Sequence, residues 1–176
     1  MSVDRFLRGP ETLQRRDLLV DHVREPPAPF WTHQAIVTRL AVLLDAHVRP
    51  RNLGRVCVAP VDVVLDREPA LVLQPDLLFV SHERMSIVRQ QVWGTPDIVI
   101  EVLSTATERR DRTMKVRWYR KYGARECWLV HPRDRRVEVL TFDGGRTRRR
   151  RFTTGTRIES AVLAELAFTA DDVFDV

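Results

Sequence analysis

Apolar positions along the chain follow a helical period in two long segments. Between Thr32 and Val48 they recur at steps of three and four residues, which predicts a helix with one buried face and Thr32 as its N-cap. A second helix is predicted over residues 108–122 and is closed by Gly123, because glycine commonly follows the last helical turn. A shorter amphipathic segment at residues 10–20 is also expected to be helical.

The remaining apolar positions form short runs separated by turn residues, as in β-strands. The predicted strands lie at residues 55–58, 61–65, 71–73, 76–80, 98–103, 126–130, 136–140 and 148–152. The run at 98–103 is almost continuous in Val, Ile and Leu, which predicts a central strand covered on both faces. This order of elements predicts a mixed α/β (α+β) fold with a central mixed β-sheet flanked by helices, and the length of 176 residues predicts one domain, 1–176.

Composition narrows the class of protein without identifying its activity. The apolar fraction of 44% suits a globular core, and no run approaches the roughly 20 apolar residues of a membrane helix. The first 16 residues lack the apolar region of a signal peptide. Cys57 and Cys127 lie in apolar runs and are expected to be reduced core residues. We therefore expect a cytoplasmic protein with no membrane association.

Positive charge is supplied almost entirely by arginine. The net charge is +5, and Lys115 and Lys121 are the two lysines of the sequence. An excess of positive charge favours polyanions such as nucleic acid, although an arginine-rich composition is also typical of a genome with high GC content. Arg148, Arg149 and Arg150 form a cluster that could contact nucleic-acid phosphates or could simply be a solvated sheet edge.

Two carboxylates placed in apolar runs are the candidates for chemistry. Asp76 and Glu101 fall on two predicted strands, and ionised carboxylates are rarely buried without a partner. On adjacent strands they could share Mg²⁺ or Mn²⁺, with the main-chain carbonyl of Val102 as a third ligand. Leu103 occupies the position two residues after the glutamate where the simplest nuclease motif carries lysine. The cationic group would therefore have to be Lys115, reaching the site from the following helix.

Each of these residues also has a purely structural interpretation. Asp76 follows proline and could begin a strand or a turn, and Glu101 could be paired with an arginine. Lys115 could form a surface ion pair with Asp111, one helical turn earlier. Three further residues could support the site: His33 as a base or an orienting group, Asp62 near the metal, and Asp111 as a partner that holds Lys115.

Taken together, these segments resemble the bacterial Uma-type family, which is classed with restriction endonucleases of the PD-(D/E)xK superfamily. The resemblance covers most of the chain and rests on Pro75–Leu77, Pro96–Ser104, Arg110–Asp111, Lys115, Tyr119, Gly123 and Glu126–Val130. It implies a restriction-endonuclease-like core and Mg²⁺-dependent or Mn²⁺-dependent hydrolysis of DNA. Cutting both strands of a duplex favours a homodimer as the expected assembly. The resemblance places the acidic pair on Asp76 and Glu101, the displaced lysine on Lys115, and a helix-opening histidine on His33.

Two other classes of function remain compatible with the sequence. A catalytically silent DNA-binding or regulatory protein of the same fold would retain DNA affinity without metal-dependent cleavage. A protein-interaction module whose arginine content is only codon bias would show no salt-dependent affinity for DNA.

Overall fold

The computed structural model describes residues 1–10, 12–20, 22–103 and 109–176, and for residues 109–112 it describes the backbone alone. The helices are α1 (Val3–Leu7), α2 (Trp31–Val48), α3 (Arg109–Lys121) and α4 (Ala170–Phe174), and a 3₁₀ helix covers His82–Ile87. The strands are β1 (Asp17–Leu19), β2 (His22–Arg24), β3 (Gly54–Val58), β4 (Val63–Arg67), β5 (Ala70–Leu73), β6 (Leu77–Ser81), β7 (Val92–Trp93), β8 (Ile98–Val102), β9 (Glu126–His131), β10 (Arg136–Asp143) and β11 (Arg146–Phe152).

The larger sheet has six strands in the order β11-β10-β9-β8-β6-β3. Its pairings are antiparallel except for β8 and β9, which are parallel because α3 connects them as a crossover. All five residues of β8 are buried, and the strand lies between β6 and β9. The predicted mixed α/β fold with a central mixed sheet and a buried central strand is therefore confirmed.

Different elements cover the two faces of this sheet. On one face, Ile100 and Trp128 pack with α2, α4 and the C-terminal segment. On the other face, Val99 and Leu129 pack with Tyr119 of α3 and with residues of a second, five-stranded sheet in the order β2-β1-β5-β4-β7. Side chains alternate along a strand, so Glu101 shares the face of Val99 and lies beneath α3. The candidate site is therefore enclosed between the two sheets and α3.

Several local predictions were wrong. The helix predicted over residues 10–20 is absent from the described residues of that range, 10 and 12–20. α1 ends earlier, at Leu7, and Asp17–Leu19 form β1, because Leu18 and Leu19 pair with Val72 and Leu71 of β5. The N-cap of α2 is Phe30 rather than Thr32, and it makes no side-chain capping hydrogen bond.

One cysteine also differs from its prediction. Cys127 is buried, whereas Cys57 is exposed because β3 is the edge strand of the six-stranded sheet. Both cysteines are free.

The end predicted for α3 is confirmed, since the helix stops at Lys121 and Gly123 follows with φ +91°. The predicted helix start at Glu108 lies outside the described residues, as does Ser104 of the family resemblance. Within the described ranges, no helix is long and apolar enough to cross a membrane.

Candidate active site

The register of two antiparallel strands brings the candidate carboxylates together. Leu77 of β6 lies opposite Ile100 of β8, and one further step along the same register places Asp76 opposite Glu101. Asp76 also accepts a hydrogen bond from the main-chain N–H of Val102, with a distance of 2.7 Å between nitrogen and Oδ2. Because the N–H and C=O of a strand residue point to the same side, the Val102 carbonyl faces Asp76 as well.

Asp76 is buried among groups that stabilise its negative charge. Its Oδ1 accepts a hydrogen bond from the Arg15 guanidinium, and its Oδ2 lies 3.4 Å from Nε2 of His33 on α2. Burial favours the neutral acid, but Arg15, His33 and the Val102 N–H outweigh it, so the pKa of Asp76 lies below its ordinary value. The aspartate is therefore ionised at neutral pH, as a metal ligand has to be.

Glu101 is held by three side chains that reach it from two directions. The Tyr119 hydroxyl of α3 donates to Oε1 at 2.7 Å, and Nζ of Lys115, one turn earlier, lies 3.4 Å from the same oxygen. Arg15 donates to Oε2 at 3.1 Å. Burial and the charges of Glu101 and Asp17 raise the pKa of Tyr119 well above its usual range, so the hydroxyl remains a proton donor to the carboxylate.

Lys115 reaches the site from α3 as the sequence predicted, and its neighbour there is a residue that sequence reasoning missed. Its Nζ lies 3.1 Å from Oδ2 of Asp17, the first residue of β1, and the exposed fractions are 7% for Lys115 and 1% for Asp17. Asp17 stands directly before two apolar residues, as Asp76 does. Because the amphipathic pattern of residues 10–20 predicts a helix, the sequence does not mark Asp17 as a strand carboxylate.

The remaining supporting candidates lie at different distances from the carboxylates. Asp62 is separated from them by Gln74, whose side-chain amide donates to Asp62 at 2.8 Å and whose main-chain N–H donates to Asp17 at 2.8 Å. His33 contacts Asp76 directly. The side chain of Asp111 lies outside the described residues, so its pairing with Lys115 stays a prediction.

The register of the six-stranded sheet places Arg151 in a row with Glu101. Glu101 lies opposite Leu129, Leu129 opposite Glu138, and Glu138 opposite Arg151, across roughly 14 Å at three strand spacings. Alternation along β11 puts Arg149 on the same face, and both arginines contact the buried Glu138, at 3.7 and 3.2 Å. One part of the arginine cluster thus shares the face of the candidate site.

The rest of the cluster points the other way. Arg150 lies 2.6 Å from Glu159 and over the ring of Phe152, which belongs to the core on the α2 face. Arg148 lies two residues before Arg150 on β11, so alternation along the strand places its side chain on the same face as that of Arg150. The three arginines predicted to bind nucleic acid, Arg148, Arg149 and Arg150, are therefore divided between the two faces of the sheet.

A cavity of about 990 Å³ gives access to the carboxylates. Its polar lining includes Asp76, Glu101 and Lys115, and much of the remaining wall is apolar and comes from residues 26–30 before α2. Asp76 and Glu101 are only 2% and 7% exposed, so a ligand must enter this cavity to reach them.

The oxygen atoms at this site suit a hard divalent cation. Within the described ranges, no cluster of three or more His, Cys, Asp or Glu side chains is arranged to hold a metal. Mg²⁺ does not need one, because it is typically bound by one or two carboxylates, with water and substrate phosphate completing the shell. Asp76 Oδ1 and Glu101 Oε2 already share one cationic partner, the Arg15 guanidinium. Two carboxylates that converge on one positive charge fit the ion that the predicted chemistry requires.

The contact between His33 and Asp76 leads to a prediction about pH. Burial disfavours the charged ring, but the hydrogen bond and charge of Asp76 outweigh it and raise the pKa of His33 above its ordinary value. The stability gained from the protonated ring is therefore complete below about pH 6.5, the usual histidine value, and is lost as pH rises through the folded-state pKa.

We expect His33→Gln to lower the free energy of unfolding more at about pH 6 than at about pH 8.5. Urea denaturation at both pH values measures this difference, and in an Asp76→Asn background the pH dependence should shrink. An equal loss at both values in the wild-type background would contradict the assignment.

Comparison with known proteins agrees with this architecture. The model of the Uma2 family, described as "Putative restriction endonuclease", matches residues 3–171. The crystal structure of "a putative nuclease belonging to DUF820 from Anabaena variabilis" superposes with a TM-score of 0.83 and 20% sequence identity, covering 99% of this chain and 97% of that chain. No curated protein is similar enough to match the chain. The likeness in structure supports a restriction-endonuclease-like fold.

Proposed function

Because the chain belongs to the Uma2 family of restriction-endonuclease-like proteins, we propose that it is a divalent-metal-dependent endonuclease that hydrolyses DNA phosphodiester bonds. The observation that carries the proposal is that Asp76, directly before β6, and Glu101 of β8 share the Arg15 guanidinium, with Lys115 at 3.4 Å from Glu101. These three groups have the order and the proximity that the resemblance implies, and they line a cavity large enough for part of a nucleotide chain.

Asp76, Glu101 and the carbonyl of Val102 would hold Mg²⁺ or Mn²⁺. Such an ion supplies charge neutralisation for the phosphate and lowers the pKa of a bound water. Tyr119 fixes the orientation of Glu101 through its 2.7 Å hydrogen bond to Oε1, so Oε2, which contacts Arg15, would be the oxygen offered to the ion.

Lys115 supplies the positive charge that the phosphate needs as it becomes more negative. The Asp17 carboxylate, at 3.1 Å, holds the ammonium group beside Glu101 rather than in solvent. From this position Lys115 can orient the attacking water and stabilise the phosphate oxygens. Asp17 is thus a positioning residue for Lys115.

DNA contacts outside the cavity would come from the cationic surface on the same sheet face. Arg149 and Arg151 lie on that face, and long arginine side chains suit phosphate oxygens. Arg148 and Arg150 could contact DNA only if it extended around the edge formed by β11.

The expected assembly and location complete the proposal. Cleavage of both strands of a duplex requires two active sites, which a homodimer provides. Cys57 and Cys127 are free thiols, as is usual in the reducing cytoplasm.

We expect the wild-type protein to nick supercoiled plasmid DNA when Mg²⁺ or Mn²⁺ is added and to be inactive in excess chelator. The physical reason is that the proposed chemistry depends on the ion, which would neutralise charge on the phosphate and lower the pKa of the attacking water. Gel analysis of plasmid conversion measures the reaction, and adding back Mg²⁺ after chelation controls for loss of the protein. Cleavage that persists in chelator would contradict the proposed chemistry.

The same experiment separates the second candidate function, a catalytically silent DNA-binding or regulatory protein. That candidate is favoured by the ion pairs of Arg15, which already compensate Asp76 and Glu101 within the protein. It predicts salt-dependent DNA affinity and no cleavage with either metal ion.

A further inference from the structure

The guanidinium of Arg15 lies between the two candidate metal ligands. It donates to Oδ1 of Asp76, to Oε2 of Glu101 at 3.1 Å, and to the main-chain carbonyl of Gln74. Three oxygen atoms, two from the short connection before β6 and one from β8, thus converge on one positive group. Convergence of hard oxygen atoms on one centre is also the coordination pattern of Mg²⁺ and Mn²⁺.

The charges around Arg15 show what its removal would leave. Asp17, Asp76 and Glu101 are three buried carboxylates, and among the described side chains Arg15 and Lys115 are the permanently charged cations in contact with them. Without Arg15, and at a pH where His33 beside Asp76 is neutral, one lysine would face three carboxylates. The two uncompensated negative charges would then match the charge of one divalent cation. A buried carboxylate without a partner is strongly destabilising, so such a cation would be bound favourably.

The fit of Arg15 to this position is incomplete. Its Nε is buried, yet it has no hydrogen-bond partner in the part of the chain that the structure describes. The carboxylates outweigh the cost of burying the guanidinium and raise the pKa of Arg15 above its ordinary value, so it stays charged. The Arg15 guanidinium is therefore held by the charges of Asp76 and Glu101, while its Nε–H donor makes no hydrogen bond within the described residues.

Arg15 lies outside both sheets, and the next residue is anchored because the main-chain N–H of Arg16 donates to the Gln74 side chain at 2.8 Å. Leu13 is 91% exposed, and the side chain of Gln14 contacts Glu25 in an exposed hydrogen bond of 3.4 Å. Leu13, Gln14 and Arg15 all line the cavity, whereas Asp17 is fixed in β1 by pairing with β2. A change in the Arg15 side chain would thus direct the guanidinium toward the cavity that admits the ligand.

We propose that Arg15 is an exchangeable internal cation: it neutralises Asp76 and Glu101 in the metal-free protein and is displaced when a divalent ion binds between them. The proposal rests on the proposed function, since it assumes the same metal ligands. It explains how two carboxylates can be kept adjacent and buried before metal binding. It also means that metal affinity is set by competition between the ion and Arg15.

The test is the affinity for Mn²⁺ alone, measured by electron paramagnetic resonance of the free ion in wild type, Arg15→Gln and Arg15→Lys. We expect Arg15→Gln to bind Mn²⁺ at least about tenfold more tightly than wild type, equivalent to about 1.4 kcal/mol. Arg15→Lys, which keeps a positive charge, should fall between them and also serves if Arg15→Gln does not fold. Thermal unfolding should show a larger stabilisation by Mn²⁺ in Arg15→Gln than in wild type.

Arg84 provides a matched control. Like Arg15, it pairs with a buried aspartate, at 3.1 Å from Asp97, and donates to a main-chain carbonyl, that of Thr95 at 2.8 Å. Arg84→Gln therefore removes similar contacts away from the candidate site and should leave Mn²⁺ affinity unchanged.

The outcomes distinguish this inference from the proposed function. Equal or weaker Mn²⁺ binding in Arg15→Gln, together with loss of binding in Glu101→Gln, would overturn the exchange and leave the metal site intact. The same effect in Arg84→Gln as in Arg15→Gln would also overturn it, because the change would then not come from this site. Absence of Mn²⁺ binding in every variant would overturn both the exchange and the proposed function.

Discussion

Glu101→Gln is expected to lower the rate of Mg²⁺-dependent plasmid nicking by roughly 10³-fold, since a metal ion supplies several kcal/mol of charge stabilisation and each tenfold in rate corresponds to about 1.4 kcal/mol. Glutamine keeps the size of the side chain and can still accept the hydrogen bond from Tyr119. We therefore expect the variant to fold with a circular dichroism spectrum like that of wild type. Initial nicking rates at saturating Mg²⁺ measure the effect. Wild-type rates in the variant would remove Glu101 from the mechanism.

Glu126 on the neighbouring strand is a matched control for this substitution. It is also a buried strand glutamate, but its carboxylate accepts hydrogen bonds from Trp128 at 3.0 Å, from Ser160 at 2.6 Å and from the main-chain N–H of Ala161 at 2.6 Å. Glu126→Gln breaks part of this network and should cost roughly 1–3 kcal/mol of stability. Once folded, it should keep the nicking rate of wild type.

Lys115→Met is expected to lower the nicking rate by roughly 10²–10³-fold, the range found when one preorganised charge-stabilising group is removed from a transition state. The methionine stem fills similar space, but the positive charge beside Glu101 and Asp17 is lost. The loss should fall mainly on the catalytic rate constant. DNA affinity measured with Ca²⁺ should change much less, because a single lysine contributes little to overall electrostatic binding.

Lys121, the second lysine of the sequence, is the control for Lys115→Met. It lies in the last turn of the same helix, and its Nζ contacts the Tyr122 hydroxyl at 3.4 Å. Lys121→Met removes the same charge and should keep the nicking rate of wild type. Equal losses in both variants would mean that only the overall charge of α3 matters.

The sequence by itself determined the elements that depend on local pattern. The continuous apolar run at 98–103 predicted the buried central strand β8, and the period of three and four residues predicted α2. Two acids in apolar runs and a lysine in the next helix also predicted which groups would approach one another, because an ionised carboxylate within a buried strand needs a charged or hydrogen-bonding partner. These features are visible in a sequence because each depends on residues within one or two turns or strands.

Only the tertiary structure decided what surrounds the carboxylates and how their charges are compensated. Asp17 and Arg15 come from a segment whose apolar residues are few, and they reach the site because β1 pairs with β5, more than 50 residues further along the chain. The division of the arginine cluster between two faces likewise depends on the pairing of β10 with β11, which fixes the direction of every side chain on the edge strand. Long-range pairing of this kind is set by the free energy of the whole core rather than by local propensity. For this reason the sequence identified Asp76, Glu101 and Lys115, and the structure added the buried Asp17 and the Arg15 cation between the acids.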